Sequence, residues 1–277
     1  MKITKFLMLA SASFAFVATP AFAQSEDEEW EGAYIGGSIG LAAQNNDRNE
    51  GVVFDTNLDG NFNNTVNNVA GANAFSTGFC SGFPNSNNAP AGCKDDDDKG
   101  IDFGVRLGYD WQFGAFVIGA LAEVERTRIE DSVTAFSTTP AAYTFSRKLK
   151  GVASIKIRGG YAFGDNLVYA TGGVARGDFK RSYFTTNTVN SFGQRGGDEP
   201  EGYQAGLGFE RKIADRVTIG VEWLHTELDD EGYVVRIGPP TAPTNPFILV
   251  NPQGTDQIRS DDKFDYDTFR VTTSYRF

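Results

Sequence analysis

Few side chains in this 277-residue sequence have the types and spacing that chemistry requires. Cys80 and Cys93 are the only cysteines, 13 positions apart. In an oxidising compartment we expect them to form a disulfide, which would contribute about 3 kcal/mol by closing a small loop. Two free thiols are the alternative. Metal ligation by the pair is not expected, because no histidine is near them in the sequence.

A stretch rich in Asp and Asn matches the first half of a calcium-binding loop. Asp55, Asn57 and Asp59 stand at alternate positions before Gly60, where the D-x-[DN]-x-[DN]-G pattern places oxygen ligands. The twelfth position, which needs a bidentate Glu, holds Val66. An ordinary turn is therefore the preferred interpretation. The alternative is a weak calcium site, with a Kd on the order of 10⁻⁴–10⁻³ M.

His225 is the only candidate for a catalytic base. A hydrolase needs a hydroxyl nucleophile within hydrogen-bond reach of such a base. If the surrounding segment is a strand, the neighbouring Thr226 points to the opposite face, so no triad is evident. The sequence therefore predicts no catalytic residue and no enzyme.

Composition and the N-terminus exclude several classes of protein. Acidic residues outnumber basic ones by 36 to 25, and the net charge of −11 argues against a nucleic-acid binder. Residues 1–23 combine two lysines, an apolar run and a small-residue cleavage site, which is the pattern of a secretory signal peptide. The apolar run is too short for a transmembrane helix. We expect a single exported domain over 24–277.

The rest of the chain alternates between apolar and polar residues with a period of two. Between Ile101 and Gln112, for example, large apolar residues alternate with polar or glycine residues. Strands of about 9–11 residues suffice to cross a membrane, and the alternating segments reach that length. Eight are predicted: Trp30–Ala43, Gly100–Gln112, Ala115–Arg128, Lys148–Phe163, Leu167–Lys180, Gly202–Ile213, Arg216–Glu227 and Lys263–Phe277.

Short and long connections alternate between these segments. The long ones cover about 45–99, 129–147, 181–201 and 228–262, and the others are turns with Gly or Asp. Outer-membrane barrels have an even number of strands, short periplasmic turns and long extracellular loops. The predicted fold is therefore an all-β, eight-stranded antiparallel transmembrane up-and-down barrel with four long extracellular loops. A soluble β-sandwich is the alternative.

Parity along the strands separates a lipid face from a lumen face. The lipid face is apolar, with aromatic residues and His225 near the strand ends, as in interfacial belts. Because side chains fill the interior of an eight-stranded barrel, balanced charges there predict an ion-pair network that plugs the lumen. Leu167 and Val168 lie on opposite parities of one segment, which we leave unassigned. The predicted lumen charges are Asp102, Arg106, Asp110, Glu123, Glu125, Lys156, Arg158, Glu210, Lys212, Glu222, Arg270 and Arg276.

Several motifs, in their order along the chain, resemble one protein family. The stretches 30–37, 169–175, 202–210 and 221–224 are WEGAYIGG, YATGGVA, GYQAGLGFE and VEWL. They resemble strands of the small outer-membrane β-barrel family of alphaproteobacteria, which is porin-like or opacity-like and of the OmpA/OmpX type. The C-terminal pattern is similar to the signal read by the outer-membrane assembly machinery. Its residues are Phe269, Val271, Tyr275 and Phe277.

The resemblance implies a closed barrel in the outer membrane of a Gram-negative bacterium, without a shared catalytic residue or cofactor. Outer-membrane lipid, lipopolysaccharide and the assembly machinery are its implied partners. A role in envelope structure and surface contact is expected, with a small-solute or ion pore as the alternative. A further alternative is an adhesin or receptor acting through loops one and four.

Two loop features bear on surface contact. In loop four, prolines precede Phe247–Val250, which we expect to form an exposed apolar patch. At the end of loop one, four aspartates lie between Lys94 and Lys99. The run is interpreted as a solvated charge cluster. The alternative is that it binds divalent cations that bridge lipopolysaccharide phosphates.

Overall fold

The computed structural model of the protein describes residues 30–44, 50–94, 99–239 and 242–277. Eight long strands are β1 Gly32–Gln44, β2 Gly100–Phe113, β3 Phe116–Thr127, β4 Ala141–Phe163, β5 Asn166–Thr185, β6 Glu201–Ala214, β7 Val217–Asp229 and β8 Lys263–Arg276. Each pairs antiparallel with the next along the chain. β8 also pairs with β1, which closes the ring. The predicted eight-stranded barrel is therefore confirmed.

Short turns join the strands at one end of the barrel, and long connections leave the other end. Gly114 and Gly164 occupy two of the short turns with φ of 60° and 55°, a left-handed conformation that favours glycine. In outer-membrane barrels the short turns are periplasmic and the long loops extracellular, which orients the molecule. Within the described residues, no helix is long and apolar enough to cross a membrane. The expected signal peptide, 1–23, and the aspartates at 95–98 lie outside the described residues.

The barrel wall separates the two faces as the alternation predicts. Ile39, Val124 and Ile157 are all more than half exposed on the outside of the wall. Charged residues at the intervening positions, such as Arg106 and Glu123, are buried inside. The apolar outer belt therefore meets lipid, and the lumen is charged.

The sequence did not show which face of β5 points to lipid, because this strand has apolar residues on both faces. Val168 and Val174 face outward, whereas Leu167, Tyr169 and Phe179 are buried in the lumen. The buried residues belong to two apolar clusters that close the two ends of the lumen. The periplasmic cluster is Trp30, Val117, Ala162, Leu167 and Tyr169, and the cluster at the extracellular mouth is Ala42, Ile129, Leu149, Val152, Ala175, Phe179, Leu228, Phe264 and Tyr266.

β4 and β5 continue well beyond the membrane. They reach Ala141 and Thr185, whereas the sequence placed their outer ends at Lys148 and Lys180. A further strand, Ile129–Ser137, pairs with the outer part of β4. Both faces of this hairpin are buried, so its sequence lacks the apolar–polar alternation from which a strand can be predicted.

The long connections fold together into a second body, here called the cap (residues 50–94, 128–147, 181–200, 230–239 and 242–262). Its four-stranded antiparallel sheet has the order Phe192–Arg195, Val234–Ile237, Thr255–Arg259, Val52–Asp55. Phe79–Ser81 pairs with Ile129–Ser137, and Phe83–Pro84 pairs with Cys93–Lys94. Two 3₁₀ helices, Ala89–Ala91 and Pro246–Ile248, complete the cap.

The cap has an apolar core of its own, built from three of the four long loops and the outer part of β4. The Phe75 ring lies 4.5 Å from Phe54, 5.3 Å from Tyr143 and 5.9 Å from Phe247 between ring centroids. The prediction that Phe247–Val250 forms an exposed patch is wrong for Phe247, which is buried in this core. Leu249 and Val250 remain exposed because they follow the short helix that anchors Phe247.

Candidate functional site

The centre of the lumen is an ion-pair cluster around Arg270. Its Nη1 lies 2.7 Å from Glu125, and its Nη2 lies 2.8 Å from Glu123 and 2.5 Å from Glu222. Arg106 Nη2 lies 3.1 Å from both Glu123 and Glu222. Lys156 Nζ donates to Glu123 at 2.5 Å and to the side chain of Gln204 at 3.1 Å. The cluster therefore ties strands on opposite sides of the barrel to one another.

Strand register explains two of these seven contacts. Arg106 faces Glu123 across the β2–β3 pair, and Glu222 faces Arg270 across the β7–β8 pair. Such cross-strand pairs follow from the register of adjacent strands. The bond from Arg106 to Glu222 instead spans the lumen, because β2 and β7 are not neighbours. Only closure of the barrel brings these two side chains together.

A second cluster occupies the periplasmic half of the lumen. Arg158 pairs with Asp110 and lies 2.8 Å from Glu210, while Arg276 Nη2 lies 2.7 Å from Asp110. Arg276 also donates to the main-chain oxygen of Trp30 at 2.6 Å. Aromatic rings cover these cations: the Arg158 guanidinium lies 4.7 Å from the Tyr34 ring and 5.1 Å from the Tyr169 ring. Lys212, which is half-buried, lies over the Trp30 ring at 5.3 Å.

The lumen charges are almost inaccessible to water. Eleven of the twelve predicted residues are at most 5% exposed, and Lys212 is the exception. Desolvation of an ion costs several kcal/mol, so each charge must be compensated by partners within the lumen. Glu222, for instance, accepts from Arg270, Arg106 and, at 2.6 Å, the Tyr169 hydroxyl. The sequence did not identify Tyr34, Tyr169 and Gln204 as partners of the lumen charges, since their residue types alone do not indicate a lumen position.

A third charged cluster joins the cap to the barrel mouth. Arg147 Nε lies 2.8 Å from Asp131, and Arg259 Nη2 lies 2.5 Å from the same carboxylate. Arg259 Nε donates to Glu50 at 2.5 Å. Arg147 also donates to the main-chain oxygen of Lys263, at the start of β8. The sequence analysis missed this cluster because its members come from segments taken to be irregular loops.

The two carboxylates of that cluster, Glu50 and Asp131, have pKa values shifted in opposite directions. Desolvation raises the pKa of Glu50 to about 7, and Arg259 only partly opposes the shift. Desolvation acts on the pKa of Asp131 too, but Arg259 and Arg147 outweigh it and hold that pKa below its ordinary value. Glu50 is therefore a carboxyl of the cap whose charge changes near neutral pH.

The residues of the possible calcium site form a closed turn. Asp55 accepts backbone N–H groups from Leu58 at 2.6 Å and Gly60 at 2.8 Å. The Asn57 side chain donates to Asp59 at 2.9 Å. Backbone amides thus satisfy much of the hydrogen-bonding capacity of the Asp55 carboxylate, as in a tight Asp-rich turn. Among the described residues, no group of three or more His, Cys, Asp or Glu side chains is arranged to hold a metal ion.

The predicted disulfide between Cys80 and Cys93 is present, with 5.9 Å between the Cα atoms. It lies entirely within the cap and ties Phe79–Ser81 to the short hairpin strand at Cys93. The disulfide therefore cross-links loop one within the cap and does not contribute to closure of the barrel.

His225 lies on the outside of the barrel wall. Its Nδ1 is 3.1 Å from Asp267 Oδ1, which also accepts from Trp223 Nε1 at 3.1 Å. Thr226 is buried on the opposite, lumen face, where the Gln204 amide donates to it at 3.1 Å. The only histidine of the sequence is therefore hydrogen-bonded to a carboxylate, and the barrel wall separates it from the Thr226 hydroxyl in the lumen.

The four residues of the expected assembly signal all face outward on β8 and at the C-terminus. They are exposed on the apolar belt. Tyr275 and Phe277 contact each other edge to face, with 5.3 Å between ring centroids.

The sequence matches the family described as outer membrane protein beta-barrel domain over residues 9–277. It is 24% identical over 176 residues to the 31 kDa outer-membrane immunogenic proteins of Brucella melitensis and Brucella suis. That alignment covers 63% of this chain and 65% of the Brucella proteins, so the chain spans just under two thirds of their length. A similar solved structure is outer membrane protein OprG of Pseudomonas aeruginosa, with 13% identity and a TM-score of 0.47 over 89% of this chain and 97% of that one.

Proposed function

The chain belongs to the outer membrane β-barrel family, and from this premise we propose that it is a closed, non-enzymatic barrel that supports the envelope and presents its cap at the cell surface. Eleven paired, buried charges in the lumen carry the proposal. A water-filled channel would leave such side chains hydrated, whereas here they are at most 5% exposed. Apolar clusters at both ends of the lumen support the same conclusion.

The main alternative is a small-solute or ion pore, and conductance in planar lipid bilayers distinguishes the two. We expect purified, refolded protein to give no steady channels, with or without millimolar calcium. A heat-dependent shift in gel mobility would show that the barrel is folded. Steady channels of reproducible size would overturn the proposal, and substitution of Arg106, Arg158, Glu123 or Glu222 would then be expected to change their ion selectivity.

A role in surface contact is supported by the cap. Three of the four loops share one apolar core, and a disulfide cross-links loop one within itself. The cap therefore presents a single shaped surface instead of independent flexible segments. The Brucella relatives are named as immunogenic, which agrees with exposure of such a surface. Replacing residues 56–94 by a short linker should leave the barrel folded and abolish only contacts made through the cap. Unchanged binding of cells to cells or surfaces would exclude loop one as the adhesive element.

The non-enzymatic part of the proposal is supported by the surroundings of His225. A base that acts on a nucleophile must lie within hydrogen-bond reach of it. Here the imidazole contacts Asp267, and the adjacent hydroxyl, Thr226, lies on the other side of the wall. We expect His225→Asn to leave the protein's stability and its effect on added lipid unchanged. The proposal would be contradicted if the unaltered protein hydrolysed outer-membrane lipid and the His225→Asn variant did not.

A further inference from the structure

The outer rim of the barrel carries opposite charges on its two sides. We call the outward side chains of β3–β5 and their extensions the basic side; they are Arg126, Arg128, Lys148, Lys150, Arg176 and Lys180, with Glu130 and Asp178 between them. The outward side chains around β7 and β8 form the acidic side; they are Glu227, Asp229, Asp262, Asp265 and Asp267, with Lys263 among them. The sequence alone gives no sign of this separation, because the members come from distant segments.

Part of the basic side is neutralised locally. Lys148 pairs with Glu130 at 2.6 Å, and Lys150 pairs with Asp178 at 3.2 Å. Arg176 pairs with Glu199 at 2.6 Å, across the β5–β6 boundary. In the part of the chain that the structure describes, no carboxylate pairs with the other three cations. These are Arg126, Arg128 and Lys180.

An apolar groove of about 740 Å³ lies directly below the basic side, on the lipid-facing wall. Its lining includes Leu107, Val124, Ile155 and Val174. Arg176 and Glu201 stand together at its upper end. Ala122 lies between larger residues, and its small side chain leaves the depression in the wall. Val124 is two residues before Arg126 on the same outward face of β3, so the groove and the cations are continuous.

The acidic side offers a comparison within the same molecule. A groove of about 590 Å³ lies on that wall and is lined by Leu41, Leu207, Trp223 and Phe269. Asp267, two residues from Phe269 on the same outward face of β8, stands above it. Both grooves are mainly apolar, but cations predominate above the first groove and carboxylates above the second.

We propose that the basic side and the groove below it bind a phosphate-bearing lipid of the outer leaflet, with an acyl chain in the groove. Guanidinium groups form charge-assisted, bidentate hydrogen bonds with phosphate, and this favours the basic side over the acidic one. Arg126, Arg128 and Lys180 supply the cations that pair with no carboxylate among the described residues. The lipid stands outside the wall, so this inference does not depend on whether the lumen conducts.

The test measures lipid binding to the purified protein in an uncharged detergent, by native mass spectrometry and by the rise in unfolding temperature. The probes are diphosphorylated lipid A and the same lipid without its phosphates. Since each Lys or Arg near an anionic membrane surface adds about 1 kcal/mol, the triple variant Arg126→Ser/Arg128→Ser/Lys180→Ser should bind the phosphorylated lipid about 100-fold more weakly. Ala122→Leu, which fills the groove, should also weaken binding.

Two matched controls lie outside the basic side and outside the lining of its groove. Lys263→Ser removes a cation from the acidic side, and Ala205→Leu enlarges an outward-facing alanine on β6. Both should bind the lipid like the unaltered protein. The inference would be overturned if the triple variant bound normally, if the dephosphorylated lipid bound equally well, or if the controls lost as much affinity. The inference would also be overturned if lipid binding were lost only when divalent cations are chelated. It would likewise be overturned if a second copy of the chain, and not the lipid, occupied the basic side. The heat-dependent gel shift shows that each variant is folded, and conductance remains a separate measurement.

Discussion

The barrel and the cap are stabilised by opposite kinds of interior. The lumen is filled with ion pairs centred on Arg270, and an apolar cluster lies at each of its two ends. The cap has an aromatic and aliphatic core around Phe75, and charges surround it. One chain therefore contains both a polar interior enclosed by an apolar surface and the reverse arrangement.

The surroundings of each region explain the difference. The outer wall of the barrel contacts lipid, so its apolar side chains point outward, and the alternation of a strand then sends the polar ones into the lumen. The cap stands in water, where burial of apolar side chains is the main driving force. Charges in the lumen give little net stability as a set, but removal of one leaves the others uncompensated. Each residue of the cap core instead contributes according to the area it buries.

The largest effect should come from the hub of the lumen. Arg270→Met leaves Glu123, Glu125 and Glu222 without their shared partner, and it should lower the free energy of unfolding of the barrel by about 3–5 kcal/mol. Urea unfolding in detergent micelles, followed by the heat-dependent gel shift, measures the loss. Arg126→Met is the matched control, because that arginine is exposed outside the wall and should change stability little. Equal stability of the two variants would contradict the comparison.

A comparable loss is expected in the cap, but it should not reach the barrel. Phe75→Ala removes a ring that contacts Phe54, Tyr143 and Phe247, so the cap should lose about 3–5 kcal/mol. Near-ultraviolet circular dichroism of the cap tyrosines and limited proteolysis report on the cap, and the gel shift reports on the barrel. Exposed Val69→Ala is the control. If the barrel lost stability together with the cap, the two regions would be one cooperative unit.

The disulfide should affect the cap alone, and less strongly. Cys80→Ser/Cys93→Ser opens a loop with a sequence separation of 13, which should cost the cap about 3 kcal/mol. Reduction of the unaltered protein should have the same effect, and the double variant should not respond to reductant. A loss of barrel stability on reduction would show that the loop supports the wall.

The smallest effect should be a dependence of the stability of the cap on pH. The pKa of Glu50 is about 7 in the folded protein against an ordinary value of 4.5, so the folded state holds the proton more tightly. The cap should therefore lose stability, by about 1–3 kcal/mol, as the pH rises from about 4.5 to about 7. Glu50→Gln should remove this dependence, because it cannot ionise. An unchanged pH profile in that variant would assign the effect to another group.

The alternation of residue types was enough to predict the strands that cross the membrane. Lipid contacts one face of each strand, so the choice between inside and outside is imposed residue by residue and is visible in the sequence. β5 was the exception, since Leu167, Tyr169 and Phe179 fill the ends of the lumen and face apolar partners there. The hairpin over 129–149 was missed for a related reason, as both of its faces are buried.

By itself, the sequence determined the eight strands, their order, the lipid face and which charged residues enter the lumen. These properties are local, because they depend on period-two alternation and on turns between successive strands. The tertiary structure alone decided the partners across the lumen, the union of the loops in one cap core and the separation of charge around the rim. Arg106 and Glu222 are 116 residues apart, and their contact depends on closure of the ring and on the space that other side chains leave. Such contacts leave no periodic signal in a single sequence.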